Sequence, residues 1–410
     1  MKRVAWTLGA IAFYVGGGYL TLPGVNRVEL QHVLAAGKSL HWEGFARMSP
    51  FALGIMPILT AFWLVELAAL SVPRWRKLRH GGPAGRRVLG FAVAVTALVL
   101  ALIQAYFVAR WLEAQSFDDS EIIHASRATF WLVVVTMTAG TMVLAWLAAA
   151  IGTRGIGNGY AVLFVAGWLL GAPAHLAFDT RLALALAIVA CLAIVLIILV
   201  LASARLGRIA LPASGILPIT TAAGLVSIAS ALFTLHANIP AAVFEKLHAA
   251  DHGIAIPALN VAILVPVWAY VFARPALSGA TRREWQGAVV TTGLALAGLV
   301  IVAGLAQDYV PGSRGFFELG VLLPAIATVA DWIDELRARR RELVPVWPLH
   351  APLRIQDVRD KLAAGGIDCF LQARRLRQLL WFFGPWAPIM VLVPPERALE
   401  AEKILRELLE

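Results

Sequence analysis

The sequence predicts an all-α polytopic membrane protein with ten transmembrane helices, followed by a small α+β domain. Its 410 residues are 60% hydrophobic and only 15% charged, whereas soluble proteins carry about 25% charged residues. The apolar residues collect in ten long runs, and such runs are able to cross about 30 Å of hydrocarbon. Basic residues concentrate in alternate connections between these runs, as they do in membrane proteins of fixed orientation.

The first apolar run follows the basic start Met1–Arg3 and continues to Leu22 without a small-residue cleavage site. We therefore interpret it as an uncleaved first span rather than a signal peptide. Several runs contain glycine or proline, which a bundle tolerates where irregular backbone is covered by protein or faces a cavity. The ten predicted spans are residues 4–22, 51–71, 88–108, 129–150, 158–172, 182–203, 214–235, 255–273, 286–305 and 317–335.

Charge in the connections sets the predicted orientation. The connection between the second and third spans is basic, the next one carries Glu113, Asp118, Asp119 and Glu121, and the chain leaves the tenth span through further arginines. The positive-inside rule then places both termini in the cytoplasm, and an even number of spans agrees. The net charge of +10 follows from this topology and does not indicate a nucleic-acid partner. The basic residues of the first of these connections are Arg74, Arg76, Lys77, Arg79, Arg86 and Arg87.

Short motifs recur at defined places on the predicted spans. In chain order they are Pro23-Gly24 after the first span, FALGIMP (51–57), TAGTM (138–142), RGIGNG (154–159), LPASGILPI (211–219) and ATVADWIDELRARRR at the end of the tenth span. In this order the motifs resemble those of the SecY family, whose members are channel subunits of the general protein translocase. The heptapeptide FALGIMP is the most specific of them, and the resemblance covers residues 1–341, which we predict to form the channel domain.

The resemblance implies two pseudosymmetric five-helix halves that enclose a pore and open sideways between the second and seventh spans. In the family, a ring of side chains at the waist dewets and seals the closed pore. The family prefers aliphatic residues there, whereas three of the matching residues here are aromatic. The aromatics indicate either a narrower waist or packing residues in a bundle that no longer conducts. The ring residues implied by the resemblance are Leu59, Trp63, Tyr160, Phe164, Thr220 and Pro324.

Other positions matter for the lateral gate and the plug of such a channel. Glu66 stands where the family usually has glutamine, and an acid within a span suggests a function by default. It tunes the gate, couples to a proton, or is a carboxyl near a helix end that is hydrogen-bonded to a neighbour or snorkels to the interface. The plug region, about residues 38–50, is either a gating segment or an ordinary external loop. The gate and motif residues are Pro57, Glu66, Gly155, Gly157, Asn158, Gly159 and Pro218, and those of the plug region are Lys38, His41, Trp42 and Arg47.

Two cytoplasmic arms of the family are reduced to stubs. ASARLGRIA (202–210) leads almost directly from the sixth span to the seventh, and ARPALSGATRREW (273–285) joins the eighth to the ninth. In the family these arms dock the SecA motor and the ribosome, so we do not expect such docking in the usual manner. The implied partners are the lipid bilayer, a SecE-like small membrane subunit, and an unfolded or nascent polypeptide as client.

Composition changes after the tenth span, and residues 342–410 contain no further spanning run. Apolar alternation predicts strands at 344–349, 367–371 and 389–393, and an apolar stripe predicts a helix that ends at Gly365-Gly366. A final helix carries Leu405 and Leu408, which completes a βαββα arrangement. It resembles a small bacterial domain labelled as signal-transducing. The basic, aromatic loop 374–386 either lies on the membrane surface, docks a partner, or fills the core of this domain.

No catalytic constellation is evident. The sequence has no phosphate-binding loop, nucleophile elbow or CxxC pair, and its cysteines, Cys191 and Cys369, are far apart. His248 and His252 have the spacing of a zinc pair, but the glutamate of the hydrolytic motif is replaced by Ala249. We therefore expect no enzyme activity, no metal and no cofactor. The predicted function is a protein-conducting channel subunit in translocation or membrane insertion, and the alternative is a non-conducting paralogue that acts as a scaffold or sensor through its C-terminal domain.

Overall fold

The computed structural model describes residues along the whole chain, with gaps. The chain forms two compact units, one from the described residues up to 171 and one from those that follow. The predicted domain boundary at residues 341 and 342 stays a prediction. The described residues are 2–26, 28–30, 48–80, 82–114, 122, 126–175, 181–203, 205–206, 209–210, 218–219, 221–222, 261–269, 282–309, 319–338, 343–349, 354–379 and 389–409.

The helices that begin in the first unit follow the predicted spans, with different ends. They are α1 (Lys2–Gly17), α2 (Met56–Ser71), α3 (Pro73–His80), α4 (Gly82–Ala114), α5 (Arg127–Arg154) and α6 (Gly159–His175). The second predicted span begins at residue 51, but residues 51–55 form turns in which Gly54 has a φ of +59°. The basic connection predicted after it contains α3 and the start of α4, because lysine and arginine are good helix formers.

Small side chains bring the long helices of the first unit together. Ala101, Ala105 and Ala109 are fully buried on one face of α4, where they lie in a cluster with Val133 and Met137 of α5. Alanines spaced by four residues allow helix backbones to approach closely. Helices in lipid associate through such close packing, because lipid is itself apolar and leaves no hydrophobic driving force between them. Other side chains of α4 are large and exposed, and Phe91 is 73% exposed, as expected where a helix meets lipid.

The second unit contains further apolar helices and one small hairpin. These are α7 (Arg181–Ser203), β1 (Arg205–Leu206), β2 (Ile209–Ala210), α8 (Arg282–Tyr309) and α9 (Leu319–Ala338), and residues 261–269 are also helical. Strands β1 and β2 pair antiparallel, with Leu206 opposite Ile209. In the described part of the chain, three helices are long and apolar enough to cross a membrane, Arg87–Glu113, Arg127–Arg154 and Arg282–Ala306. The total of ten spans stays a prediction.

The remaining described residues, 343–409, are called the tail. They form β3 (Val344–Leu349), α10 (Ile355–Ala364), β4 (Phe370–Gln372), α11 (Arg374–Leu379), β5 (Ile389–Val393), a 3-10 turn (Pro395–Arg397) and α12 (Ala398–Leu409). The sheet is antiparallel in the order β3-β5-β4. Val391 of β5 and Val358 of α10 are fully buried in a common core with Leu405 of α12.

Two features of the tail differ from the sequence-based expectation. The second strand covers residues 370–372 rather than 367–371, because Gly366 adopts a φ of +68° and the chain needs three further residues to leave the turn. The basic residues from Arg374 onward form the short helix α11, which was expected to be part of a loop. The aromatic residues of that loop from 381 to 386 lie outside the described residues.

Candidate functional site

The FALGIMP segment forms the turn that leads into α2. The backbone N–H of Leu22 donates to the carbonyl of Met48 at 3.0 Å, and Ser49 Oγ accepts from the N–H of Phe51 at 3.2 Å. The ring of Phe51 packs against Tyr14 of α1, with 5.9 Å between ring centroids. Pro57 is buried in the first turn of α2, where a missing N–H costs no helical hydrogen bond.

Two glycines outside this turn make room for it. A Cβ on Gly17 of α1 would overlap the ring of Phe51, and a Cβ on Gly140 of α5 would overlap the carbonyl oxygen of Pro50. Gly140 belongs to the TAGTM motif. Helix α1 and the motifs of the second and fourth predicted spans therefore meet at one turn. Close packing, rather than chemistry, explains why these residues are small.

The GIGNG segment connects α5 to α6 and is held by α1. The N–H of Ile156 donates to Thr7 Oγ1 at 2.8 Å, and the guanidinium of Arg154 lies 5.3 Å from the ring centroid of Trp6. Gly155 lies against the Thr7 hydroxyl. Its neighbour Gly157 has a φ of +75°, a conformation that favours glycine.

Asn158 caps the start of α6. Its Oδ1 accepts from the N–H groups of Tyr160 at 3.0 Å and Ala161 at 3.2 Å, which satisfies donors that a helix N-terminus otherwise leaves open. Gly159 packs against the backbone of Ala148 in α5, where a Cβ would overlap the carbonyl oxygen. The GIGNG residues thus set the direction in which α6 leaves α5.

Four of the six proposed ring residues lie on α2 and α6 in the first unit. Tyr160 is buried, whereas Leu59, Trp63 and Phe164 are half-buried. The edge of Tyr160 meets Phe62 of α2 at a centroid distance of 5.0 Å and an interplanar angle of 85°. Aromatic pairs favour this edge-to-face geometry. Sequence reasoning missed Phe62, and its position beside Trp63 is the only signal that points to it.

The other proposed site residues are placed as follows. Pro218 is buried in the second unit, and Pro324 lies within α9. Thr220, the plug residues Lys38, His41, Trp42 and Arg47, and the histidines His248 and His252 lie outside the described residues. Within the described residues, no group of acids, histidines and cysteines has the arrangement of a metal site.

Glu66 is enclosed by the first unit. It lies on α2, one turn after Phe62, and only 3% of the residue is exposed. Burial of a charge is costly unless partners compensate it, which keeps Glu66 among the candidate functional residues.

Curated proteins of similar sequence include SecY subunits of two bacteria. Protein translocase subunit SecY of Escherichia coli strain K12 is 30% identical over 184 residues, which are 43% of this chain and 42% of that protein. SecY of Buchnera aphidicola subsp. Acyrthosiphon kondoi is 30% identical over 180 residues, 42% of this chain and 51% of that protein. The chain thus matches about half the length, or less, of these curated relatives.

Solved channels are similar over a larger part of the chain. The structure of a protein-conducting channel matches with a TM-score of 0.45 and 16% identity, and it covers 83% of this chain and 92% of that one. Sec61 in the canine ribosome–channel complex matches with a TM-score of 0.46, 15% identity and the same coverage. The model of the SecY family matches residues 49–274. This match covers more than half of the residues of the chain, and the chain therefore belongs to the SecY family.

Proposed function

We propose that this chain is a protein-conducting channel subunit of a bacterial inner membrane, acting in protein translocation or membrane insertion. The observation that carries the proposal is the meeting of family motifs in one packed unit. The turn that carries FALGIMP packs against Gly17 of α1 and against Gly140 of TAGTM, and GIGNG packs against Thr7 of α1. Each of these contacts needs a glycine, because a larger side chain would overlap its neighbour. Family membership and the names of the curated relatives support the same reading.

In the proposed channel, ten spans form two halves of five, and the ring at the waist separates the two sides. Leu59 and Trp63 on α2 and Tyr160 and Phe164 on α6 supply the part of the ring that belongs to the first half. Thr220 and Pro324 supply the other part. Apolar side chains at a constriction exclude water and ions, so a closed ring seals the pore without a covalent gate. Aromatic rings fill more of the waist than aliphatic side chains do.

The proposed partners follow from the same assignment. The client is an unfolded or nascent polypeptide, and a SecE-like single-span subunit holds the halves together. The connection after α7 is a tight hairpin in which only two residues separate β1 from β2. We therefore expect neither the SecA motor nor the ribosome to dock in the family's usual manner, and a different partner supplies the driving force. The chain itself has no catalytic role in this proposal.

A crosslinking experiment tests conduction directly. A photoreactive amino acid replaces Leu59 or Phe164, and a secretory chain is arrested during transport through the protein. The matched control carries the same amino acid at Phe91, whose side chain lies on the exposed face of α4. We expect crosslinks to the arrested chain from both ring positions and none from the control.

The opposite result would identify a scaffold. If the ring positions and Phe91 gave equally few crosslinks while the protein was stably inserted, conduction through this waist would be disproved. Purification from membranes would then show whether a SecE-type protein still accompanies a non-conducting paralogue.

A further inference from the structure

The C-terminal half of α9 is joined to the tail by a buried carboxylate. Asp331 is 7% exposed, and its two oxygens accept from the N–H groups of Arg375 at 3.1 Å and Leu376 at 2.9 Å. These N–H groups belong to the first turn of α11. A residue of the last predicted span therefore caps a helix that begins more than forty residues later in the chain.

Further contacts surround this cap. The guanidinium of Arg375 pairs with Asp334 at 3.1 Å. Leu376 and Leu379 are buried, and so are the side chains of Arg377 on α11 and Glu335 on α9. Helix α11 also contacts α7, and strand β4 contacts α9. The tail thus meets the membrane helices of its own unit through charge, hydrogen bonds and apolar packing together.

The electrostatics of α11 agree with this placement. Burial lowers the pKa of the Arg374 guanidinium, and the nearby cations Arg359 and Arg375 lower it further. The carboxylates of Asp331 and Asp334 oppose that shift. Two acids of α9 are therefore near enough to the Arg374 guanidinium to favour its charged form.

Helix α11 depends on this cap. It has six residues, and isolated helices shorter than about 12–15 residues are marginal in water. Its first N–H groups have no intrahelical acceptor, so a side chain must satisfy them when they are buried. A carboxylate is a strong acceptor for such groups. Removal of Asp331 takes this acceptor away from the buried N–H of Leu376 and from the partly buried N–H of Arg375.

We propose that Asp331 is a latch that fixes the tail to α9, so that the tail and the last predicted span move as one body. The latch makes the tail a rigid cytoplasmic extension of the second unit rather than a domain on a loose linker. A partner that binds the tail then shifts α9, and a movement of α9 shifts the tail, since coupling between two sites is reciprocal. Its effect on a pore rests on the proposed function, but the latch itself does not.

Hydrogen exchange of the full-length protein in lipid nanodiscs tests the latch without any transport assay. We expect the amides of α11 to be protected in the unchanged protein and to exchange about tenfold faster or more after Asp331→Ala. Glu402→Gln is the matched control, because it removes an acid whose ion pair with Arg406 is exposed on α12. Equal exchange in the unchanged protein and in Asp331→Ala would overturn the proposal.

A distance measurement provides the second readout. Spin labels are attached at Val329→Cys on α9 and Lys361→Cys on α10, in a background of Cys191→Ala and Cys369→Ser. We expect one narrow distance distribution, which broadens when Arg375→Glu places an acid next to Asp334 and narrows again when Asp334→Arg is added. This pair tests the latch from the tail side if Asp331→Ala does not fold. A distribution that is already broad without the substitution, or that Arg375→Glu leaves narrow, would contradict it.

Discussion

Thr7 Oγ1 on α1 accepts a 2.8 Å hydrogen bond from the N–H of Ile156, a residue 149 positions later. Both residues are buried. The same hydroxyl lies against Gly155, and the preceding arginine stacks over Trp6. One threonine therefore joins the first helix to the glycine-rich connection between α5 and α6.

Thr7→Val should destabilise the protein by about 1–3 kcal/mol, because the buried N–H of Ile156 loses its acceptor while the shape of the side chain is kept. Thermal unfolding in detergent measures the change. The matched control is Thr153→Val at the exposed end of α5, whose hydroxyl bonds only within its own helix. Equal stability of the two variants would contradict the role assigned to Thr7.

Gly140→Ala should cost about 1–3 kcal/mol, because the new methyl group overlaps the carbonyl oxygen of Pro50 and the backbone must move apart. Gly152→Ala on the same helix is the control. Apart from the neighbouring backbone of its own helix, no atom lies within 4 Å of its added Cβ, so the better helix propensity of alanine should raise stability by up to about 1 kcal/mol. Stability of the purified variants decides the sign at each position.

Asn158→Ala should weaken the start of α6 by about 1 kcal/mol, the usual cost of losing an N-cap. Asn158→Asp should retain most of the stability, since a carboxylate accepts from the same N–H groups and favours a helix N-terminus. Chemical unfolding of the two variants measures the difference. If Asn158→Asp were as unstable as Asn158→Ala, the cap would not be the reason for this residue.

Trp63→Ala should increase the ion leak of the resting protein in planar bilayers, because removal of an aromatic ring from the proposed waist lets water enter the constriction. Trp131→Ala on α5 is the control, as its side chain is about half exposed on the outside of the first unit. We expect Trp63→Ala to leak more than the unchanged protein and Trp131→Ala to leak no more than it. An equal leak from both variants would place Trp63 outside the seal.

The thiol of Cys369 should be alkylated slowly at neutral pH. Burial raises its pKa, Arg359 lowers it and Asp368 raises it, and only the thiolate reacts. With a Cys191→Ala background, the alkylation rate should keep rising above about pH 8.5, the pKa of a free cysteine. The control is the alkylation rate of the same protein unfolded in denaturant. If the rate in the folded protein levelled off near the pKa of a free cysteine, the thiol would not have a raised pKa.

Several contacts were beyond the reach of sequence reasoning for a physical reason. The apolar runs located α2, α5 and α6 because burial in lipid demands long apolar helices. The pairing of Phe62 with Tyr160 is not visible in the hydrophobic pattern of either helix, since it depends on how the two helices cross. The capping of α11 by Asp331 likewise joins residues whose local patterns indicate only a helix end and a basic loop.

The sequence by itself determined the membrane class, the family motifs and the strands at 344–349 and 389–393, because these follow from hydrophobic runs, local alternation and fixed short spacings. Only the tertiary structure decided what the motifs contact: Gly140 meets Pro50, Ile156 meets Thr7, and Asp331 holds the tail. The physical reason is that hydrogen bonds and close packing between distant segments are properties of the folded arrangement, whereas burial preference is a property of each segment.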